Sequence, residues 1–134
     1  MSLKPEGGVT QISIENAAEL IDERGLPDIV QLVNEGQNTA EHAVFATWTN
    51  PDGTDLTHKF TGFSWGYHGE GPHGLTAFFE QLGLSERIPD ELVFTLPQNT
   101  SGLILSIRRS GWKIEFAYDG AEDQHPTLKV DLQE

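Results

Sequence analysis

Apolar and polar positions alternate from Val9 to Ile14 (Val-Thr-Gln-Ile-Ser-Ile), and the β-branched content predicts a strand there. From Glu15 the period lengthens. Ala17, Leu20 and Ile21 fall at i, i+3 and i+4, with Glu19, Asp22 and Glu23 opposite, which predicts a helix closed by Gly25 at its C′ position. Pro27 suits the first position of a second short helix, with Ile29, Val30, Leu32 and Val33 as its apolar face and Gly36 as its end. A buried strand over 28–33 fits the same residues, because a short apolar run does not decide the matter by period.

Residues 43–49 read as a strand. Asn50-Pro51-Asp52-Gly53 is a turn, since Pro presets φ, Asp tolerates the bridge region and Gly closes it. Residues 55–65 are the return strand and 67–71 a loop. Over 72–82 a helix is predicted, with Pro72 at its first position. Leu75, Phe78, Phe79 and Leu82 form its apolar stripe, Gly83 is its stop, and Leu84 folds back on Phe79. Strands follow at 91–96, 102–108 and 112–118, the last two joined by a hairpin at Arg108-Arg109-Ser110-Gly111. Asp119-Gly120 turns the chain into a final strand over 127–132. These elements predict one α+β domain spanning 1–134, an antiparallel sheet of about five or six strands with two or three short helices on one face. The other face of the sheet is then solvated or a partner surface.

The net charge of −13 changes the picture of partners. It argues against a phosphate-backbone reader and against anionic membrane surfaces, so neither nucleic acid nor membrane is expected as a partner. It permits a basic protein partner, a divalent cation or mimicry of a nucleic acid, and plain solubility or life in high salt is its blander reading. The acids are spread out: residues 1–35 carry seven against Lys4 and Arg24, and 112–134 carry six against Lys113 and Lys129. No cysteine is present, which excludes a disulfide framework, a thiolate metal site and a Cys nucleophile. The first residues lack the apolar region of a signal peptide, and a cytoplasmic protein is expected.

Candidate chemistry concentrates in residues 62–74, Gly-Phe-Ser-Trp-Gly-Tyr-His-Gly-Glu-Gly-Pro-His-Gly. Gly69-Glu70-Gly71-Pro72-His73-Gly74 matches G-x-G-x-x-G literally. A dinucleotide site is nonetheless rejected, because the preceding strand belongs to an antiparallel hairpin and Pro72 removes an amide that would hold phosphate. Anion binding by the remaining amides is a weaker version, and a tight structural corner is the plainer one. His68, Glu70 and His73 form H-x-E-x-x-H, a zinc-compatible set that needs a further ligand such as His42 or His58; neither metal nor cofactor is expected. Phe63, Trp65 and Tyr67 share one parity and, with Trp48, would make an aromatic wall if the strand continues. The candidate ligand-binding residues are therefore Trp65, Tyr67, His68, Gly69, Glu70, Gly71, His73 and Gly74. No serine sits in a nucleophile elbow, and nothing selects a catalytic set. Arg108-Arg109 at a hairpin tip reads as a solvated turn, or as a holder of an acidic group.

The pattern Gly62-Phe63-x-Trp65-Gly66-Tyr67-x-Gly69-x-Gly71-Pro72-x-x-Leu75 resembles a block in small uncharacterised bacterial, archaeal and mobile-element proteins, where it precedes a short helix. The likeness covers 14 of 134 residues. It implies a reusable unit of fold with a binding role and carries no activity with it.

Three functional readings follow. The leading one is a non-enzymatic interaction protein of the inhibitor, immunity or accessory kind, with Glu19, Asp22 and Glu23 as candidate partner contacts. The alternative is a small-ligand or metal-binding domain, or a hydrolase, centred on 63–74. The third is a DNA mimic, which needs its acids at phosphate-like spacing.

Overall fold

Helix α1 runs from Thr10 to Arg24, so the alternating stretch before Glu15 is its first turns and not a strand. Ser13, Asn16, Ala17 and Leu20 form its buried stripe. Two members of that stripe are polar, which is why the helical period is hidden in the sequence. Side-chain hydrogen bonds offset their burial and override the β preference of Val9, Ile12 and Ile14. The helix ends at Gly25, whose φ of +81° suits a residue without Cβ and whose N–H donates to the Ile21 carbonyl at 2.8 Å.

The computed structural model describes residues 3–36, 41–83, 90–96, 98, 103–108, 111–115 and 129–133. The strands are β1 (Ile29–Asn34), β2 (His42–Thr49), β3 (Asp55–Phe60), β4 (Leu103–Arg108), β5 (Gly111–Glu115) and β6 (Lys129–Gln133). With α1 come α2 (Glu70–Gln81) and α3 (Asp90–Thr95), an α+β fold. Leu84, Arg87, Arg109, Ser110, the end of the expected strand at 116–118, the turn at 119–120 and residues 127–128 lie outside the described residues.

The run over 28–33 is not helix: it lies in strand β1 from Ile29 on. β1 is flanked by β2 and β4, both antiparallel, in the sheet order β3-β2-β1-β4-β5-β6. A Val- and Ile-rich run suits a strand paired on both sides. Asp28 helps start it: its N–H donates to the Thr47 carbonyl at 2.8 Å, and its carboxylate accepts from the Thr49 amide at 2.7 Å. The register lines up Ala46, Val30, Leu105, Ile114 and Val130 as one apolar row across five strands. The adjacent row is Thr47, Ile29, Ser106, Lys113 and Asp131. On β1 and β2 the face of the first row is buried, at Val30, Leu32, Val44, Ala46 and Trp48.

The β2–β3 hairpin turns at 50–53 as expected. Gly53 N–H donates to the Asn50 carbonyl at 2.9 Å, with Gly53 at φ +89°. The return strand ends at Phe60 rather than continuing to Trp65. Residues 91–95, expected as strand, lie in α3; the six-residue run carries no strand pairing and buries Val93. A short apolar run is compatible with either state, and here the tertiary surroundings decide.

By contacts the chain divides into two units, residues 1–26 with 60–98, and residues 27–59 with 99–134. The first holds the helices and the glycine-rich segment. The second holds the sheet.

Candidate functional site

α2 begins two residues earlier than expected, at Glu70, so Pro72 occupies its third position. A proline costs nothing there, because the first four amides of a helix have no intrahelical acceptor. Gly69, in extended backbone, precedes the helix, and its carbonyl accepts from the His73 amide at 3.1 Å. Glu70 in the first turn favours the helix dipole. Leu75, Phe78, Phe79 and Leu82 are all buried, as their spacing predicts.

The glycines of residues 62–74 are each approached by the chain itself. A Cβ on Gly62 would lie 2.6 Å from both Ser13 Oγ and the Val9 carbonyl oxygen. At Gly66, whose φ is +88°, it would meet the Leu96 carbonyl at 2.6 Å. At Gly69 it would strike the Tyr67 ring at 2.7 Å, at Gly71 the Ser64 hydroxyl, and at Gly74 the Thr10 methyl. The Gly66 amide donates to the Val93 carbonyl at 2.9 Å, tying the segment to α3. Atoms of the chain itself thus occupy the space beside each of these glycines.

The half-buried Gly69 apart, the candidate ligand residues separate into two groups. Trp65, Gly71 and Gly74 are buried, and Phe63 stacks into the core with Phe60 and Phe78. Tyr67, His68, Glu70 and His73 face outward. The strand stops at Phe60, so the shared parity of Phe63, Trp65 and Tyr67 does not make a common face: Tyr67 is 44% exposed and Trp65 is 0%. The Tyr67 hydroxyl shares a hydrogen bond with Ser64 Oγ at 2.8 Å. His68 and His73 both pack on Phe94, the first stacked at 4.5 Å and the second edge-on at 4.9 Å. Among the described residues no group of three His, Asp or Glu side chains is placed to hold a metal ion.

The acidic face of α1 is built differently. Glu19, Asp22 and Glu23 are all exposed. Lys4, Glu15, Asn16, Ala18, Glu19 and Asp22 line a groove of about 550 Å³. Its chemistry is anionic but carries one cation of its own: Lys4 Nζ donates to Glu15 Oε1 at 2.8 Å. The hydrogen bond from Lys4 and then that from Gln11 hold the Glu15 carboxyl below its usual range. Lys4 is raised by its hydrogen bond to Glu15 and by the charges of Glu15 and Glu19.

Sequence reasoning missed the residues that seat this face. Glu6, Ser13 and Asn16 are buried polar groups. The Asn16 amide pairs with the Lys4 backbone in both directions, accepting from its N–H at 3.0 Å and donating to its carbonyl at 2.8 Å. Ser13 Oγ donates to Glu6 Oε1 and accepts from the Gly62 amide at 2.9 Å. The available signal was Ser13 and Asn16 at i and i+3, in line with Ala17 and Leu20.

No helix among the described residues is long and apolar enough to cross a membrane. No family model matches this chain, and neither a curated protein nor a solved structure matches it.

Proposed function

We propose that this chain is a non-enzymatic interaction domain that takes a basic protein segment on the acidic face of α1. The observation that carries the reading is the groove itself: the exposed acids Glu19 and Asp22 line it together with Glu15. A lysine or arginine side chain of a partner would meet the carboxylates there, as the chain's own Lys4 meets Glu15. The large negative net charge steers such a partner to the surface before contact. On this reading the G-F-x-W-G-Y block is a unit of fold, since its glycines approach the chain itself and Phe63, Trp65 and Leu75 are core.

Titration of the isotope-labelled protein with a lysine-rich peptide at low and high salt tests the reading. Shift changes centred on Glu15, Ala18, Glu19 and Asp22 that fade with salt are expected. Changes centred on Tyr67, His68 and His73 would favour a site at the glycine-rich segment, and none on α1 would refute the proposal.

A further inference from the structure

Glu6 is only 8% exposed, and its carboxylate joins the segment that carries it to both α1 and Thr61. Oε1 accepts from Ser13 Oγ on α1 and from the Thr61 amide at 2.8 Å, and Oε2 accepts from Asn16 Nδ2 at 3.1 Å. The segment around it, Lys4 to Gly8, lies as a strap along α1. Asn16 grips the Lys4 backbone on both sides, and the Gly8 amide donates to Thr61 Oγ1 at 2.9 Å. Gly7 and Gly8, at φ +54° and +79°, form the bend that leads the strap into α1, closed by Val9 N–H on the Glu6 carbonyl at 2.8 Å.

We propose that Glu6 is an acid-operated latch for this strap. An ionised carboxylate is an acceptor alone, and Oε1 and Oε2 meet donors from a hydroxyl, a peptide amide and a side-chain amide. A proton on Oε1 competes for the lone pairs that take Ser13 Oγ and the Thr61 amide, and a proton on Oε2 weakens it as an acceptor for Asn16 Nδ2, so the set is weakened whichever oxygen is protonated. Reversing Ser13 also disturbs its seat, because Ser13 Oγ accepts from the Gly62 amide. Buried polar networks lose stability steeply when partly satisfied. Among the described residues, the ionisable groups on these elements are Lys4 on the strap and Glu15, Glu19, Asp22, Glu23 and Arg24 on α1, with Lys4 and Glu15 paired at 2.8 Å; Thr61 and Gly62 contribute none. Release of the strap withdraws Lys4 from Glu15 and from Asn16, leaving the α1 groove without its own cation. The latch does not depend on what that groove binds.

Amide hydrogen exchange on the full chain across acidic to neutral pH, corrected for intrinsic rates, tests it. In the wild type, protection at Lys4, Gly8, Thr61 and Gly62 should fall by roughly tenfold or more on acidification while the amides of α2 stay protected. Glu6→Gln should show that loss already at neutral pH, with no further pH dependence. Wild-type protection retained in Glu6→Gln, or a pH-dependent loss that survives it, would overturn the proposal. If Glu6→Gln does not fold, the wild type decides alone: the Glu6 carboxyl signal and the protection of Thr61 should titrate with one midpoint, and two distinct midpoints would refute the latch.

Discussion

The ring of Phe63 lies 5.2 Å from that of Phe78, with 17° between their planes. The glycine-rich segment is thus stacked on the helix it leads into. Phe60 completes the cluster, 5.3 Å from Phe63 and 5.1 Å from Phe78. Truncating Phe78, which is 0% exposed, removes a ring from the centre of this stack. Phe78→Ala is expected to cost ~3–5 kcal/mol, the usual range for a buried phenylalanine. Denaturant unfolding measures it, and a loss near that of an ordinary surface change would contradict the packing.

The glycines of the corner should not tolerate even a methyl group. Gly62→Ala drives Cβ against Ser13 Oγ and the Val9 carbonyl, and Gly74→Ala against Thr10 and Phe63. Each is expected to lose ~1–3 kcal/mol by overpacking. Gly66→Ala should lose more, since it adds a left-handed backbone to a clash with the Leu96 carbonyl. Gly53→Ala separates the two effects: its φ is +89° but nothing lies near its Cβ, so only conformational strain of about 1–2 kcal/mol applies. Thermal or denaturant unfolding of the four variants should rank them in that way.

Charge reversal on α1 should change association without unfolding the domain. Glu19, Asp22 and Glu23 are exposed, and their replacement by Lys is expected to alter stability by no more than about 0.5 kcal/mol per site. The on-rate of a basic partner at low salt should fall by roughly an order of magnitude or more, and the difference should shrink in high salt. Stopped-flow association at several ionic strengths measures both. An on-rate indifferent to salt would remove electrostatic steering.

The hairpin turn has its own pH signature. The Asp52 carboxyl is held below its ordinary value, first by the Thr54 hydroxyl and then by the Thr54 amide, at 2.6 and 2.9 Å. A carboxyl lowered on folding contributes stability that is present above its unfolded pKa and is lost as pH falls through the folded one. Asp52→Asn should therefore flatten the acid limb of the stability profile slightly and leave neutral pH nearly unchanged, because the group is fully exposed. Glu15 behaves in the same direction, while its partner Lys4, raised on folding, contributes stability that is lost as pH rises through its folded pKa.

The elements legible in the sequence are those whose signals are local. Pro51-Asp52-Gly53 sets a turn through its own dihedral preferences, and Leu75, Phe78, Phe79 and Leu82 mark α2 because a uniformly apolar stripe repeats at helical spacing. Where partners are distant along the chain, the sequence was silent or misleading. The first turns of α1 read as a strand because two positions of its buried stripe are Ser13 and Asn16. They are tolerable inside only because Glu6 and the Lys4 backbone arrive to satisfy them. Residues 28–33 were open to helix or strand and 91–96 read as strand alone; β1 is a strand flanked by β2 and β4, while 90–95 became the helix α3. The glycines of 62–74 announced close approach by their identity, but not to what. Folding filled that space with Ser13, Ser64, Thr10 and Leu96 of the same chain, since an apposed surface is a property of three-dimensional proximity and not of neighbouring residues. The acidity of Glu19, Asp22 and Glu23 was likewise plain in the sequence, whereas the groove that Glu19 and Asp22 line together with Lys4 is a product of the fold, which ties the Lys4 backbone to Asn16.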